Sequence, residues 1–139
     1  MTFWDFCAPV YDFFERRNDA YAKMLAIVDR LIPADAAVLD AATGTGSVGL
    51  AAAANAKSVL CTDLSARMLK KAKKKAAGRG VRNVEFAQKD IFDLGGGIYD
   101  VVIASQVLHL LDDPAGAAAE LRRVAADAEN SGQVFCVLG

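Results

Sequence analysis

Five short apolar runs, most of them separated by stretches of helical character, constrain this chain more than any other feature. The runs are AAVLDAA (36–42), SVLCTD (58–63), NVEFAQ (83–88), YDVVIAS (99–105) and QVFCVL (133–138). Between them SVGLAAAANA (47–56) reads as a helix. A second helix, ARMLKKAKKKAAGRG, follows a capping Ser65 and is closed by Gly78 and Gly80. A third, PAGAAAELRRVAADA (114–128), starts on proline. Strands that alternate with helices bury both faces of a parallel sheet. Right-handed crossovers leave few topologies. The expectation is a doubly wound α/β sheet in strand order 3-2-1-4-5, with a ligand outside the carboxyl ends of strands one and four.

The remaining bulk features exclude classes rather than choose one. A chain of 139 residues predicts one domain. A net charge of −1 gives no global basic field for nucleic acid or an anionic membrane surface. Lys70, Lys71, Lys73, Lys74 and Lys75 do cluster on one helix, which reads as a solvated face or, alternatively, a nucleic-acid contact. Cys7, Cys61 and Cys136 are widely spaced and odd in number, which fits buried thiols in a reducing compartment and gives no metal spacing. No apolar run reaches the roughly 20 residues that cross a bilayer. The start, MTFWDFCAPVYDFFERR, lacks a basic segment followed by an apolar core, so the expected location is the cytoplasm. Residues 18–32 carry apolar positions at helical spacing, with Asn18 as cap and Pro33 as stop.

The chemistry gathers at the strand ends. Gly44 to Gly49 reads GTGSVG, a turn that lets the backbone approach a ligand and aims the N–H groups of the following helix at an anion. That anion is a pyrophosphate in a dinucleotide or the methionine carboxylate in S-adenosylmethionine. Asp40, just before the glycines, repels the first and suits a ligand with an ammonium and a sulfonium; a turn aspartate is the alternative. Asp63 ends the second run 19 residues after Gly44, near the spacing for an acid on ribose hydroxyls. It reads alternatively as an acid of the helix start. Leu64 follows and is placed to pack on an adenine. Asp90 and Ile91 follow the third run, where they can meet the adenine amino group and face, or form a simple turn.

Taken in order, VLDAATGTG, LCTDLSARML, FAQKDIFDL and YDVVIASQVLHLLDDP resemble the motifs of class I S-adenosylmethionine-dependent methyltransferases, in the branch with the ubiquinone and menaquinone biosynthesis enzymes. The resemblance runs from about residue 10 to residue 138. It implies a Rossmann-like sheet, S-adenosyl-L-methionine as cofactor and direct in-line methyl transfer to a small-molecule acceptor, without a nucleic-acid or membrane partner. Residues 1–35 then form an N-terminal helical cap and 36–139 the cofactor-binding core. Asp40, Thr43, Gly44 and Gly46 are expected at the methionine end, with Ser105 beneath it. Asp63 takes the ribose hydroxyls, Leu64 and Met68 flank the adenine, and Asp90 and Ile91 hold its edge and face. Tyr11 falls where an aromatic lid often lies. His109 reads as a base, a lining residue or packing, so no catalytic residue is named.

Two departures stand out. Ala42 replaces the first glycine of the turn, and AENSGQ replaces the usual proline-glycine-glycine before strand five. The sequence also stops after the fifth strand, without the usual last two. The expectation is either a piece of a longer chain or a homodimer paired through the apolar strand-five edge. Two other function classes compete: a non-catalytic methyltransferase-like domain that binds the cofactor or a protein, and a nicotinamide-dependent oxidoreductase.

Overall fold

The computed structural model of the chain describes residues 25, 26, 28, 30–105, 107–126 and 133–137, with backbone alone at 109 and 133–137. In chain order the elements are β1 (Ala37–Asp40), α1 (Ser47–Ala53), β2 (Ser58–Asp63), α2 (Ala66–Gly78), β3 (Val84–Gln88), β4 (Val101–Ser105), a 3-10 turn (Leu108–Leu110), α3 (Pro114–Val124) and β5 (Gln133–Val137). The strands pair in parallel in the order β3-β2-β1-β4-β5, as the alternation of elements predicts. Leu25, Ala26, Val28, Arg30 and Leu31 are helical, within the predicted 18–32 segment. Its Asn18 cap, the aromatic stretch before it and Tyr11 lie outside the described residues.

Strand periodicity decides which helix each side chain meets. Successive residues point to opposite faces. Val38, Val59, Cys61, Val101 and Ile103 therefore share one face and pack with Val48, Ala52 and Ala53 of α1 and with Val28 and Ile32. Leu39, Val102 and Ala104 take the other face, against Ala117, Leu121 and Val124 of α3. Those three helix residues are spaced four and three apart, one stripe of an amphipathic helix. Leu121 is fully buried, which stabilises by about 1.5–3 kcal/mol relative to exposure.

The helix ends follow local hydrogen bonding. Ser65 Oγ accepts from Met68 N at 3.2 Å and caps α2 as the sequence predicts. At its other end Gly80 N donates to Ala77 O and Val81 N to Ala76 O, the paired bonds that satisfy terminal carbonyls. α1 stops at Ala53 rather than 56, because Asn83 Nδ2 donates to Ala53 O at 2.9 Å and Ala56 O at 3.0 Å across a turn. α3 ends at Val124 rather than 128. There the chain turns to run beside Tyr99, whose N donates to Val124 O and whose O accepts from Ala126 N. On α2, Lys70, Lys73 and Lys74 are exposed, whereas Lys75 Nζ donates to Ser47 Oγ at 3.0 Å and Thr45 Oγ1 at 3.3 Å.

Gly49 is where α1 comes closest to the sheet. A Cβ there would collide with Cys61 Sγ and lie 3.1 Å from Asp40 Oδ2. Both neighbours belong to the sheet and its tip, so neither yields cheaply. Gly49→Ala is expected to destabilise the chain by about 1–3 kcal/mol through overpacking, outweighing a helix-propensity gain of up to about 1 kcal/mol. Cys61→Ala in the same chain vacates the space and should recover most of that loss. Urea unfolding of the two single variants and the double variant measures the coupling. Additive losses would refute the contact.

Candidate functional site

Parallel pairing brings the carboxyl ends of the central strands to one edge of the sheet, with Asp40 level with Cys61 and Ile103. There β1 runs into its turn and three bonds to neighbouring strands fix the path. Ala41 N donates to Ile103 O at 2.9 Å, Thr43 N to Thr62 O at 2.8 Å, and Gly44 N to Asp63 Oδ2 at 2.8 Å. The turn passes three times through left-handed backbone, at Ala42 (φ 54°), Gly44 (φ 60°) and Gly46 (φ 86°). The glycines adopt this freely, whereas at Ala42 it costs about 1–2 kcal/mol. At Gly46 a side chain is also excluded by space, since a Cβ would stand 2.9 Å from Ala72 Cβ of α2.

Beside this turn lies a cavity of about 240 Å³. Of the sequence-predicted site residues, Gly44, Asp63, Leu64, Met68, Asp90, Ile91 and Ser105 line it. Asp40, Thr43 and Gly46 are not on its wall. Asp40 points to the α1 face, buried to 1% exposure, where its Oδ2 accepts from Thr43 Oγ1 at 2.6 Å. It shapes the turn from behind rather than facing the cavity. Sequence reasoning missed Ala42, Lys89, Phe92, Val107, Leu110 and Leu111 on the wall. Lys89 and Phe92 flank the predicted Asp90–Ile91 pair, Ala42 sits beside the predicted turn residues Thr43 and Gly44, and Val107, Leu110 and Leu111 belong to the apolar VLHLLDDP run, so adjacency was the available signal. His109 lies by its backbone in the 3-10 turn of that run, with its side chain outside the described residues. Leu64, Phe92 and Leu110 are 54%, 43% and 53% exposed at the cavity, a rim of apolar surface around its mouth.

The polar wall is pre-bonded. Asp63 Oδ1 accepts from Ser65 N at 2.9 Å, so one carboxylate ties the glycine turn to the start of α2. Asp90 Oδ1 accepts from Phe92 N at 3.0 Å in a tight turn. Lys89 Nζ donates to Leu94 O at 3.3 Å. Leu94 is itself gripped from α3: Glu120 Oε2 accepts from Leu94 N at 2.7 Å, and Arg123 Nη2 donates to the neighbouring Gly95 O at 2.6 Å. Burial, and then the Asp40 charge, push the Cys61 thiol up to about 12, with a smaller opposing effect from Thr43. Cys61 stays protonated at neutral pH and is no nucleophile. Among the described residues no cluster of histidine, cysteine and carboxylate side chains could hold a metal ion, and no helix is long and apolar enough to cross a membrane.

Comparison with known proteins places this geometry. The family described as "Methyltransferase domain" matches residues 38–128. Among solved structures, the chain is similar to BH2331 of Bacillus halodurans C-125, with 30% identity and a TM-score of 0.68 over 73% of this chain and 46% of that one. It is similar to DhpI, solved as a complex with SAM and HEP, with 28% identity and a TM-score of 0.73 over 96% of this chain and 61% of the other. The [4+2]-cyclase SpnF follows at 26% identity and a TM-score of 0.69, over 78% and 44%. The chain thus spans less than two thirds of each.

The grip on Leu94 has a pH signature. The Arg123 guanidinium first, and the Leu94 N–H second, hold the Glu120 carboxyl at about 2, from an ordinary 4.5. A depressed folded-state value means that the unfolded chain takes up the proton first. The stability from Glu120 is therefore complete above pH 4.5 and is lost as pH falls from there toward 2. Glu120→Gln should flatten the acid arm of the stability curve over that interval, read by chemical unfolding. An unchanged arm would rule out this carboxylate as its source.

Proposed function

The chain belongs to the methyltransferase-domain family, and on that premise we propose that it binds S-adenosyl-L-methionine in the strand-tip cavity and methylates a small-molecule acceptor. The observation that carries the reading is that Gly44, Asp63 and Asp90, from three separate strand ends, line one cavity together with Leu64, Met68 and Ile91. Those carboxylate acceptors fit the nucleoside. Asp63 accepts from Gly44 N and Ser65 N, and a carboxylate oxygen accepts more than one hydrogen bond, so ribose hydroxyls are chemically suited partners for it. Asp90 Oδ1 is taken by Phe92 N, while Oδ2 makes no hydrogen bond among the described residues and is available to the adenine amino group. Leu64, Met68, Ile91 and Phe92 supply apolar faces for the ring. Gly44 and Ser105 also line the cavity and are assigned to the methionine end, with Asp40, Thr43 and Gly46 off its wall at the turn. S-adenosylmethionine, when bound, supplies an electrophilic methyl group on a sulfonium.

What the chain's residues add is placement and dryness. Holding two reactants in line contributes several kcal/mol, on the order of 7–11 in the best cases. A general base is needed only where the acceptor must lose a proton. The apolar rim of Leu64, Phe92 and Leu110 excludes water once an acceptor covers it. We read residues 36–139 as the cofactor-binding core and a cytoplasmic enzyme as the setting. A homodimer paired through β5, at one end of the sheet order, is part of the same proposal. Sedimentation that stays monomeric at high concentration would remove it.

A second reading is a domain of this family that does not transfer methyl groups. The likeness to SpnF, described as a [4+2]-cyclase, favours keeping it.

Calorimetry with S-adenosylhomocysteine and with NAD tests the first step. The homocysteine nucleoside should bind and NAD should not. Asp63→Ala should weaken the nucleoside by about tenfold or more, the scale of a lost hydrogen bond to a charged group. Heat from NAD alone would sink the reading. Transfer of a labelled methyl group into a metabolite mixture then separates the enzyme from the non-transferring domain.

A further inference from the structure

Glu120 and Arg123 lie one turn apart on α3 and line no part of the cavity, yet both reach the loop that forms one of its walls. That loop leaves β3 at Lys89. Lys89, Asp90, Ile91 and Phe92 face the cavity. Two residues later Leu94 is driven into the α3-side core at 1% exposure, beside Ile91 and Leu121. Its backbone is held at both ends: Glu120 Oε2 accepts from its N–H at 2.7 Å, and Lys89 Nζ donates to its carbonyl at 3.3 Å. Arg123 fixes the next peptide through Gly95 O at 2.6 Å and locks Glu120 through Nε at 2.6 Å and Nη2 at 2.8 Å. The Glu120 side chain is only 13% exposed whereas Arg123 is half exposed, so the bond from Leu94 N is the better sheltered part of this grip.

We propose that Glu120 and Arg123 are positioning residues for the ligand: they set the wall of Asp90, Ile91 and Phe92 by clamping the backbone at Leu94 and Gly95. A wall two residues from a rigid anchor has little freedom to drift, and a side chain displaced by about 1 Å already loses much of its binding. The inference rests on the reading that an adenosyl ligand occupies this cavity.

Calorimetric titration of the 139-residue chain with S-adenosylhomocysteine tests it on the unsubstituted protein, Glu120→Ala and Glu120→Gln. Glu120→Ala should weaken Kd by about tenfold with the binding stoichiometry unchanged, since each molecule still folds but holds its wall loosely. Glu120→Gln keeps an acceptor for Leu94 N–H and should fall between. A merely structural role gives the opposite pattern, with reduced stoichiometry and an unaltered Kd in the molecules that remain folded. That pattern overturns the inference. If Glu120→Ala fails to fold, an unaltered Kd in Glu120→Gln overturns it equally. No binding by the unsubstituted chain removes the adenosyl reading, and this inference with it.

Discussion

A single carboxylate joins the parts of this molecule that matter for function. Asp63 ends β2 with one oxygen on the amide of Gly44 and the other on the amide of Ser65. The first bond pins the glycine turn to its neighbouring strand. The second fixes the start of α2, where Ser65 then caps Met68. Hydrogen bonds to an ionised acceptor are among the stronger ones in a folded chain, and here two of them act on backbone that no regular ladder reaches. Remove that charge and both the turn and the helix start lose their common reference. The cavity wall made by Gly44, Asp63, Leu64 and Met68 is therefore a consequence of one interaction.

The two faces of the sheet divide the labour. On the α1 side close contact dominates: Gly46 against Ala72, Gly49 against Cys61, and Asp40 sealed beneath the turn with Thr43. On the α3 side the work is long-range anchoring, with Leu94 buried among Ile91 and Leu121 and gripped by Glu120. The cavity sits where both kinds of support end. One face gives it a fixed backbone turn and the other a tethered loop. Strained Ala42, in left-handed backbone on the cavity wall, marks the point where that turn departs from a glycine sequence.

Much of this could be read from the sequence because it depends on near neighbours. The bounds of β2 match SVLCTD, and Ser65 caps α2 through its own third neighbour. The strand order followed from chain direction and handedness. The parts that were not legible depend on partners far away in sequence. α1 ends early because of Asn83, 30 residues on from Ala53, and α3 ends early because its exit runs beside Tyr99. Asp40 was expected to face a ligand. Ordinary strand alternation puts it on the α1 face with Val38, off the cavity wall, and periodicity alone does not say which face meets the cavity. Lys89, Phe92 and Leu111 sit next to residues or runs that the sequence does single out, but only the convergence of two separate loops puts them on one wall.

The cavity is assembled from residue 42 through residue 111, across the ends of four strands and the turn after the fourth. No shorter stretch of the chain possesses it. Parallel sheets close large loops before their contacts form, so a crevice built this way is slow to fold. A compound that recognises it recognises only the finished protein and acts as a thermodynamic ratchet on the whole domain. At a hundred times its dissociation constant it adds about 2.7 kcal/mol to the global free energy of unfolding, a sizeable share of what a domain of this size commonly has. The supply of such a compound would then govern how much of the polypeptide survives proteolysis.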